Sequence, residues 1–239
     1  MEWRDEGALL SMQVHGEASA IIEVFTAAHG RHVGLVRGGA SRKMAAMLQP
    51  GNQLDVTWRA RLDDHIGSYT AEPLRSRAAI LSDRLALAGL NAVCALLHLA
   101  LPEREPHPLL WRATMALLDD LANGADWPPT YLRWELLLLE ELGFAIDLGR
   151  CAVTGSRDDL AFVSPRSGRA VSRAGAGKWA DRLLPLPAVM LGQGTASPAE
   201  LAEGFAITGH FLGRSLEPTL NGRPMPEARQ RLLAMLART

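Results

Sequence analysis

Lysine is almost missing from this chain. Of 25 basic residues only Lys43 and Lys178 are lysines, a bias that fits the base composition of a GC-rich genome, as do the abundant Ala, Leu and Gly. Cysteine is scarce as well. Cys94 and Cys151 alone exclude a disulfide framework and point to a reducing, cytosolic compartment. Net charge is lacking too: a formal charge of −1 excludes a globally basic or acidic protein, so any polyanion site must arise from local clustering. No apolar run reaches the roughly 18–20 residues of a membrane span; the most apolar stretch, Leu85 to Leu101, is interrupted by Asn91 and His98 and reads as a buried helix. The N-terminal MEWRDEG is charged and no apolar core follows it, which excludes a secretory signal. The seven histidines include no HxxxH pair beside a Glu, so a metalloprotease site has no support. Gly175-Ala176-Gly177-Lys178 mimics a phosphate loop, yet Ser172 stands at the first glycine position and Trp179 replaces the Ser/Thr that would hold Mg²⁺.

What is present is organised around residues 21–61. From Arg31 to Arg61 this stretch contains six basic residues, Arg31, Arg37, Arg42, Lys43, Arg59 and Arg61, against a single acid, Asp55. The spacing predicts a strand within residues 2–14, paired strands over 20–27 and 31–37 with the turn at Gly30, and an alternating strand over 53–62. A last strand is predicted over 66–72, ending before Pro73. In the 53–62 run Leu54, Val56, Trp58 and Ala60 share one face, while Asp55, Thr57, Arg59 and Arg61 share the other. Four or five short antiparallel strands in about 75 residues predict a small closed barrel, most economically of OB type, because closure removes exposed edges. Such barrels commonly track a single-stranded phosphate backbone with basic side chains and exposed aromatics. Here the basic half is present, whereas Phe25 and Trp58 fall on core faces. The Arg cluster therefore suits a solvated face as well as a polyanion site.

Beyond Arg75 the pattern turns helical. Residues 76–101 are Ala/Leu-rich and free of proline, predicting one long helix. Pro108 opens a second helix that stops at Asn123-Gly124, and Pro128-Pro129 opens a third that stops at Gly143. Trp111, Trp134 and the leucines recur at three- and four-residue spacing, as inter-helix core does. Residues 149–178 read as a loop with a brief β-like hairpin. Ser197-Pro198-Ala199-Glu200 forms a capping box ahead of a helix that ends before Pro218, and residues 227–238 form a last amphipathic segment. The fold class expected is α+β: a barrel over 1–75 and a helical domain over 76–239.

The runs MEWRDEGALLSMQVHGE, FTAAHGRHVGLVRGGASRK and LQPGNQLDVTWRARL carry a resemblance. They give a strand, a Thr-x-x-x-Gly-Arg hairpin and a Gly-Gly-x-x-Arg-Lys loop at the barrel mouth, and the helical half follows more loosely. In these features the chain resembles the RecO family of bacterial recombination mediators. The resemblance implies an OB barrel followed by a helical domain, and a DNA repair role at the bacterial nucleoid. It implies binding of single- and double-stranded DNA, annealing of complementary strands, contact with the C-terminal tail of single-strand binding protein, and partnership with RecR in loading RecA, with RecF as a further candidate partner. Many family members carry a four-cysteine zinc site in the helical domain. The corresponding positions here are Cys151, Thr154, Ser172 and Gly175, so only Cys151 remains and no zinc or other cofactor is expected. The hairpin at about 149–178 would be a zinc-finger-like insertion without ligands, held by Leu160, Phe162 and Val163.

On this reading the six basic residues contact DNA phosphates, with Arg37 alternatively pairing Glu23. The acidic, apolar partner tail needs a hydrophobic groove flanked by bases. Arg112, Arg133, Lys178 and Arg182 are the candidates, and each also suits an ordinary solvated helix face. No catalytic residues are expected. Two rivals remain: a protein-docking adaptor whose degenerate barrel lacks DNA affinity, and an enzyme using a cleft between the domains.

Overall fold

The structure, a computed structural model, describes residues 1–62, 65–221 and 224–238. The chain forms two compact units, Met1–Ala125 and Asp126–Thr239. It is a mixed α+β protein with a five-stranded sheet first and mostly helix after it.

The first unit opens with β1 (Glu2–His15), β2 (Ser19–Thr26), β3 (Gly30–Val36), β4 (Gln53–Arg59) and β5 (Ser68–Arg75). They close on themselves in the order β1-β2-β3-β5-β4. Every pair is antiparallel except β3 with β5, where Leu35 faces Ser68 and Val36 faces Tyr69. The all-antiparallel expectation is corrected there: β4 lies between β5 and β1, so β5 can reach β3 only in parallel. The predicted alternation holds on β4, whose Leu54, Val56 and Trp58 are fully buried and pack with Leu9, Ile22, Val24 and Tyr69. Between β3 and β4, the short helix α1 (Arg42–Met47) directs Met44 and Met47 into the same core, and Leu48 behind it is completely buried. At the β2–β3 turn Gly30 has φ 62°, and a Cβ there would lie 1.9 Å from the Glu105 carbonyl oxygen, so both backbone conformation and space demand glycine.

Two boundaries in this unit differ from the sequence reading. β5 continues through Pro73, which pairs with Leu54 beside a register shift at Gln53/Leu54; a bulge tolerates the missing N–H. The predicted helix over 76–101 is two pieces, a 3₁₀ turn over Ala78–Ser82 and α2 (Arg84–Ala100). The break falls at Asp83, whose carboxylate accepts from the Leu85 and Ala86 N–H groups and caps α2. α3 (Pro108–Asn123) completes the unit and ends on Gly124 in the left-handed region.

The second unit contains α4 (Pro128–Glu141), β6 (Leu160–Val163), β7 (Ala170–Ser172), α5 (Arg173–Ala176), β8 (Leu184–Pro185), α6 (Pro198–Leu220) and α7 (Glu227–Leu236). The small sheet has the order β7-β6-β8. Both halves of the predicted capping box at Ser197 and Glu200 are formed. α6 runs past Pro218 to Leu220, since a proline in the last turn sacrifices little of the helix ladder. Its inner face packs on α4, where Glu135, wholly buried, receives Arg229 and the Thr208 hydroxyl.

Candidate nucleic-acid interface

Apart from Arg31, the predicted cations lie at the end of β3, on α1 and at the end of β4. Leu35 and Arg59 are both paired with Ser68, on opposite sides of β5. The end of β3, which leads into Arg37, and the end of β4, which leads into Arg61, therefore flank the start of β5. Leu35 and Arg59 are two strand spacings apart, about 10 Å, and beyond them the chains run in opposite directions, because β3 is parallel and β4 antiparallel to β5. From Arg37 the chain makes a tight turn, with Gly39 N–H bonded to the Val36 carbonyl and Ala40 N–H bonded to the Ala18 carbonyl. It then enters α1 at Arg42 and Lys43. Arg37, Arg42, Lys43 and Arg61 are exposed and form no ion pair with any described residue. Arg59 is exposed and pairs with Glu2 at 2.7 Å, an exchangeable surface contact.

Arg31 is different. It is 9% exposed; its guanidinium pairs with buried Glu23 and its Nε donates to the Leu101 carbonyl at 3.0 Å. Glu23, offered above as a partner for Arg37, is held by Arg31, with His98 Nδ1 2.9 Å from its other oxygen. The remaining five predicted cations stay on the surface.

The barrel also carries an aromatic group that sequence reading missed. Trp3 stacks on His29 with centroids 3.9 Å apart, lies 5.8 Å from Trp58 at an interplanar angle of 20°, and meets His32 and Tyr69 edge-on. Trp3, Ala28, His29, His32, Trp58 and Arg104 line a cavity of about 280 Å³, with the Arg104 guanidinium 6.0 Å from the Trp58 ring. Burial, with the Arg104 charge added, lowers the His32 imidazole to about 4, so the ring is neutral at physiological pH. The only sequence signal was a tryptophan at position 3 within a charged run and two histidines flanking a tight turn.

The four partner candidates are divided between the two units. Arg112 lies on α3 in the first unit, while Arg133, Lys178 and Arg182 belong to the second. Arg133 lines a cavity of about 210 Å³ with Leu136, Leu137, Glu140, Ile146 and Leu148. Lys178 and Arg182 both approach the face of Trp179, at 5.4 and 4.9 Å, and that indole is 51% exposed. None of the four lines the larger apolar groove, about 620 Å³, between α6 and α7.

The positions matching a four-cysteine site do converge. Cys151 Sγ accepts the N–H groups of Val153, Thr154 and Ser172 at 3.2–3.4 Å, and the Ser172 hydroxyl at 3.3 Å. Thr154 Oγ1 is 3.4 Å from Ser172 Oγ, and a Cβ at Gly175 would lie 2.8 Å from the sulfur. A zinc ion does not fit this set. One thiol and two hydroxyls are a poor donor set for it, and the sulfur fills the space a side chain at 175 would need. Burial pushes the Cys151 thiol up, but the bonds from Ser172 and Thr154 outweigh it and bring the group down to about 6. The packing expectation is partly corrected: Leu160 and Phe162 pack around Cys151 with Val171 and Ala176, whereas Val163, though buried, is outside that cluster.

Comparison with known sequences divides the chain near residue 77, where the strands give way to helix, and not at the boundary between the two compact units. Residues 1–77 match the family described as Recombination protein O N terminal, and residues 81–224 match Recombination protein O C terminal. The chain is 72% identical over 238 residues to the DNA repair protein RecO of Cereibacter sphaeroides strain KD131, covering 100% of this chain and 99% of that one. It is 62% identical over 239 residues to the protein of the same name from Ruegeria sp. strain TM1040, at 100% and 99% coverage. The Jannaschia sp. strain CCS1 protein of that name is 58% identical over 240 residues, at 100% and 97% coverage. With both halves matched and relatives this similar over full length, the chain belongs to the recombination protein O family.

Proposed function

We propose that this protein is a non-enzymatic DNA repair and recombination mediator. It binds single- and double-stranded DNA on the barrel and anneals complementary strands. With RecR, and with RecF where present, it helps load RecA onto DNA coated by single-strand binding protein. The barrel is read as OB-type, a reading supported by its strand order and its parallel β3–β5 closure. The observation that carries the proposal is that Arg37, Arg42, Lys43, Arg59 and Arg61, from the end of β3, α1 and the end of β4, are all exposed on the barrel of a chain with no overall positive charge. Phosphates bound there displace counterions, so affinity is strongly salt-dependent and weakly sequence-dependent. Annealing follows from holding two strands on one neutralising surface, with base pairing as the driving force. For the acidic, apolar partner tail, the reading rests on the cavity lined by Arg133 with Leu136, Leu137, Ile146 and Leu148, in which Glu140 is an opposing charge. The Cys151 knuckle works without metal, and no cofactor is required.

The test is fluorescence anisotropy of a labelled single-stranded oligonucleotide over a salt series, comparing wild type with Arg42→Ala/Lys43→Ala. If the five cations each neutralise a phosphate, the wild-type slope of log K against log salt is about −3.5, and the double variant flattens it by about 1.4. If wild type fails to bind even at low salt, the protein is a docking adaptor and the mediator reading falls.

A further inference from the structure

The phosphate contacts leave the aromatic cavity of the barrel without a role. Its walls are planar: the Trp3 and Trp58 indoles and the His29 and His32 imidazoles. Ala28 is small enough to leave the space open. At about 280 Å³ the cavity is near the lower limit of ligand pockets. Trp58 is enclosed as an ordinary core aromatic is, at 1% exposure, but Trp3 and His29 are only partly buried, so the stack reaches the surface. Arg104 stands over the Trp58 ring, a cation at a π surface. Trp58 is followed directly by Arg59, and Arg61 lies two residues further on. Arg59 points to the opposite face of β4 from Trp58, so Arg104, which lines the cavity, is the cation beside a ring seated there.

We propose that this cavity is a stacking subsite for one unpaired nucleobase of a single-stranded DNA chain bound on the barrel. The inference rests on the nucleic-acid reading above and adds to it a preference that charge alone does not give. Every base has a π face, so such a site tolerates any sequence. A base inside a duplex has both faces stacked and cannot enter. The site thus favours single strands over duplex and leaves the phosphate contacts common to both.

The experiment uses the full chain and three labelled ligands of equal length: oligo-dT, an abasic sugar-phosphate oligomer with the same charge, and a duplex. Wild type is expected to bind oligo-dT about tenfold more tightly than the abasic oligomer, as one stacked base contributes on this scale. Oligo-dT, but not the abasic chain, is expected to quench tryptophan fluorescence. In Trp3→Ala the tenfold preference disappears while duplex binding and the salt slope are unchanged; Trp3→Phe keeps most of it. Equal binding of the two single-stranded ligands by wild type, with salt-dependent affinity for both, overturns the subsite and leaves the phosphate interface standing. Loss of duplex binding along with oligo-dT binding in Trp3→Ala overturns it too, as a packing effect. If wild type binds none of the three ligands, the nucleic-acid reading itself is overturned.

Discussion

Glu135 is completely buried, and an ionised carboxylate there is tolerable only because Arg229 meets it twice, at 2.7 and 2.9 Å, while the Thr208 hydroxyl donates at 2.6 Å. Arg229→Met leaves that carboxylate unpaired and is expected to cost about 3–5 kcal/mol, read from urea denaturation of the full chain. Arg229→Met/Glu135→Leu should recover most of the loss, since an apolar pair of similar size removes both desolvation penalties. A double variant as unstable as the single one would show that the ion pair has a structural value beyond mutual neutralisation. Neither residue stood out in the sequence, because 94 positions separate them and nothing local marks a buried Arg. Arg31 shows the same limit from the other side. Its place in a basic run suggested a phosphate contact, but the β2–β3 register sets Arg31 opposite Phe25, two residues along from Glu23, and the pair is buried there. Sign counting along a chain finds clusters of charge; it does not tell which members are already neutralised.

At the scale of elements, local chemistry was legible wherever the signal was self-contained. The Ser197–Glu200 box, the Pro108 and Pro128 helix starts and the Gly124 stop all depend on backbone groups within a few residues, and each appears as read. The knuckle at Cys151 was legible only as a loss of ligands. Its replacement is a hydrogen-bond centre that requires two segments 21 residues apart to meet. Because the folded thiol is held near 6 and an unfolded cysteine titrates near 8.5, the unfolded chain binds more protons between those values. Stability should therefore rise with pH across about 6 to 8.5, by on the order of 2 kcal/mol, and be lost as pH falls through 6. Cys151→Ala should flatten that rise, and a chelator should leave the wild-type unfolding midpoint where it is. A midpoint that falls on chelation would reveal a metal contributing to the fold. The thiolate is 1% exposed, so it should alkylate slowly despite being ionised.

At the scale of the whole molecule, the change from strand to helix near residue 76 was plain in the sequence, whereas the extent of the first compact unit was not. α2 and α3 belong with the barrel for reasons carried by single groups. Arg77 is 3% exposed; its guanidinium donates to the Gly51 carbonyl at 2.8 Å and to Asp119 of α3 at 2.7 Å. The Trp111 indole N–H donates to the Phe25 carbonyl at 3.1 Å, and Arg31 reaches the carbonyl of Leu101, just after α2. A fragment ending at residue 77 keeps the Arg77–Gly51 bond but strips the barrel of Asp119, Trp111 and Leu101. It leaves the buried Arg77 without Asp119 and uncovers the side of Gly51 against which Leu90 lies. Fragment 1–125 retains them all. It should melt cooperatively by circular dichroism and bind single-stranded DNA with the salt slope of the full chain, because every proposed phosphate contact lies within it. Fragment 1–77 should show no cooperative transition, since losing the ion-pair partner of Arg77, the Trp111 donor to Phe25 and the Leu101 acceptor of Arg31 together exceeds the margin by which a domain of that size is stable. A 1–77 fragment that melts within a few degrees of 1–125 would mean that the barrel core alone, Leu9, Ile22, Val24, Leu54, Val56 and Trp58, closes the fold and that the two helices only cover it.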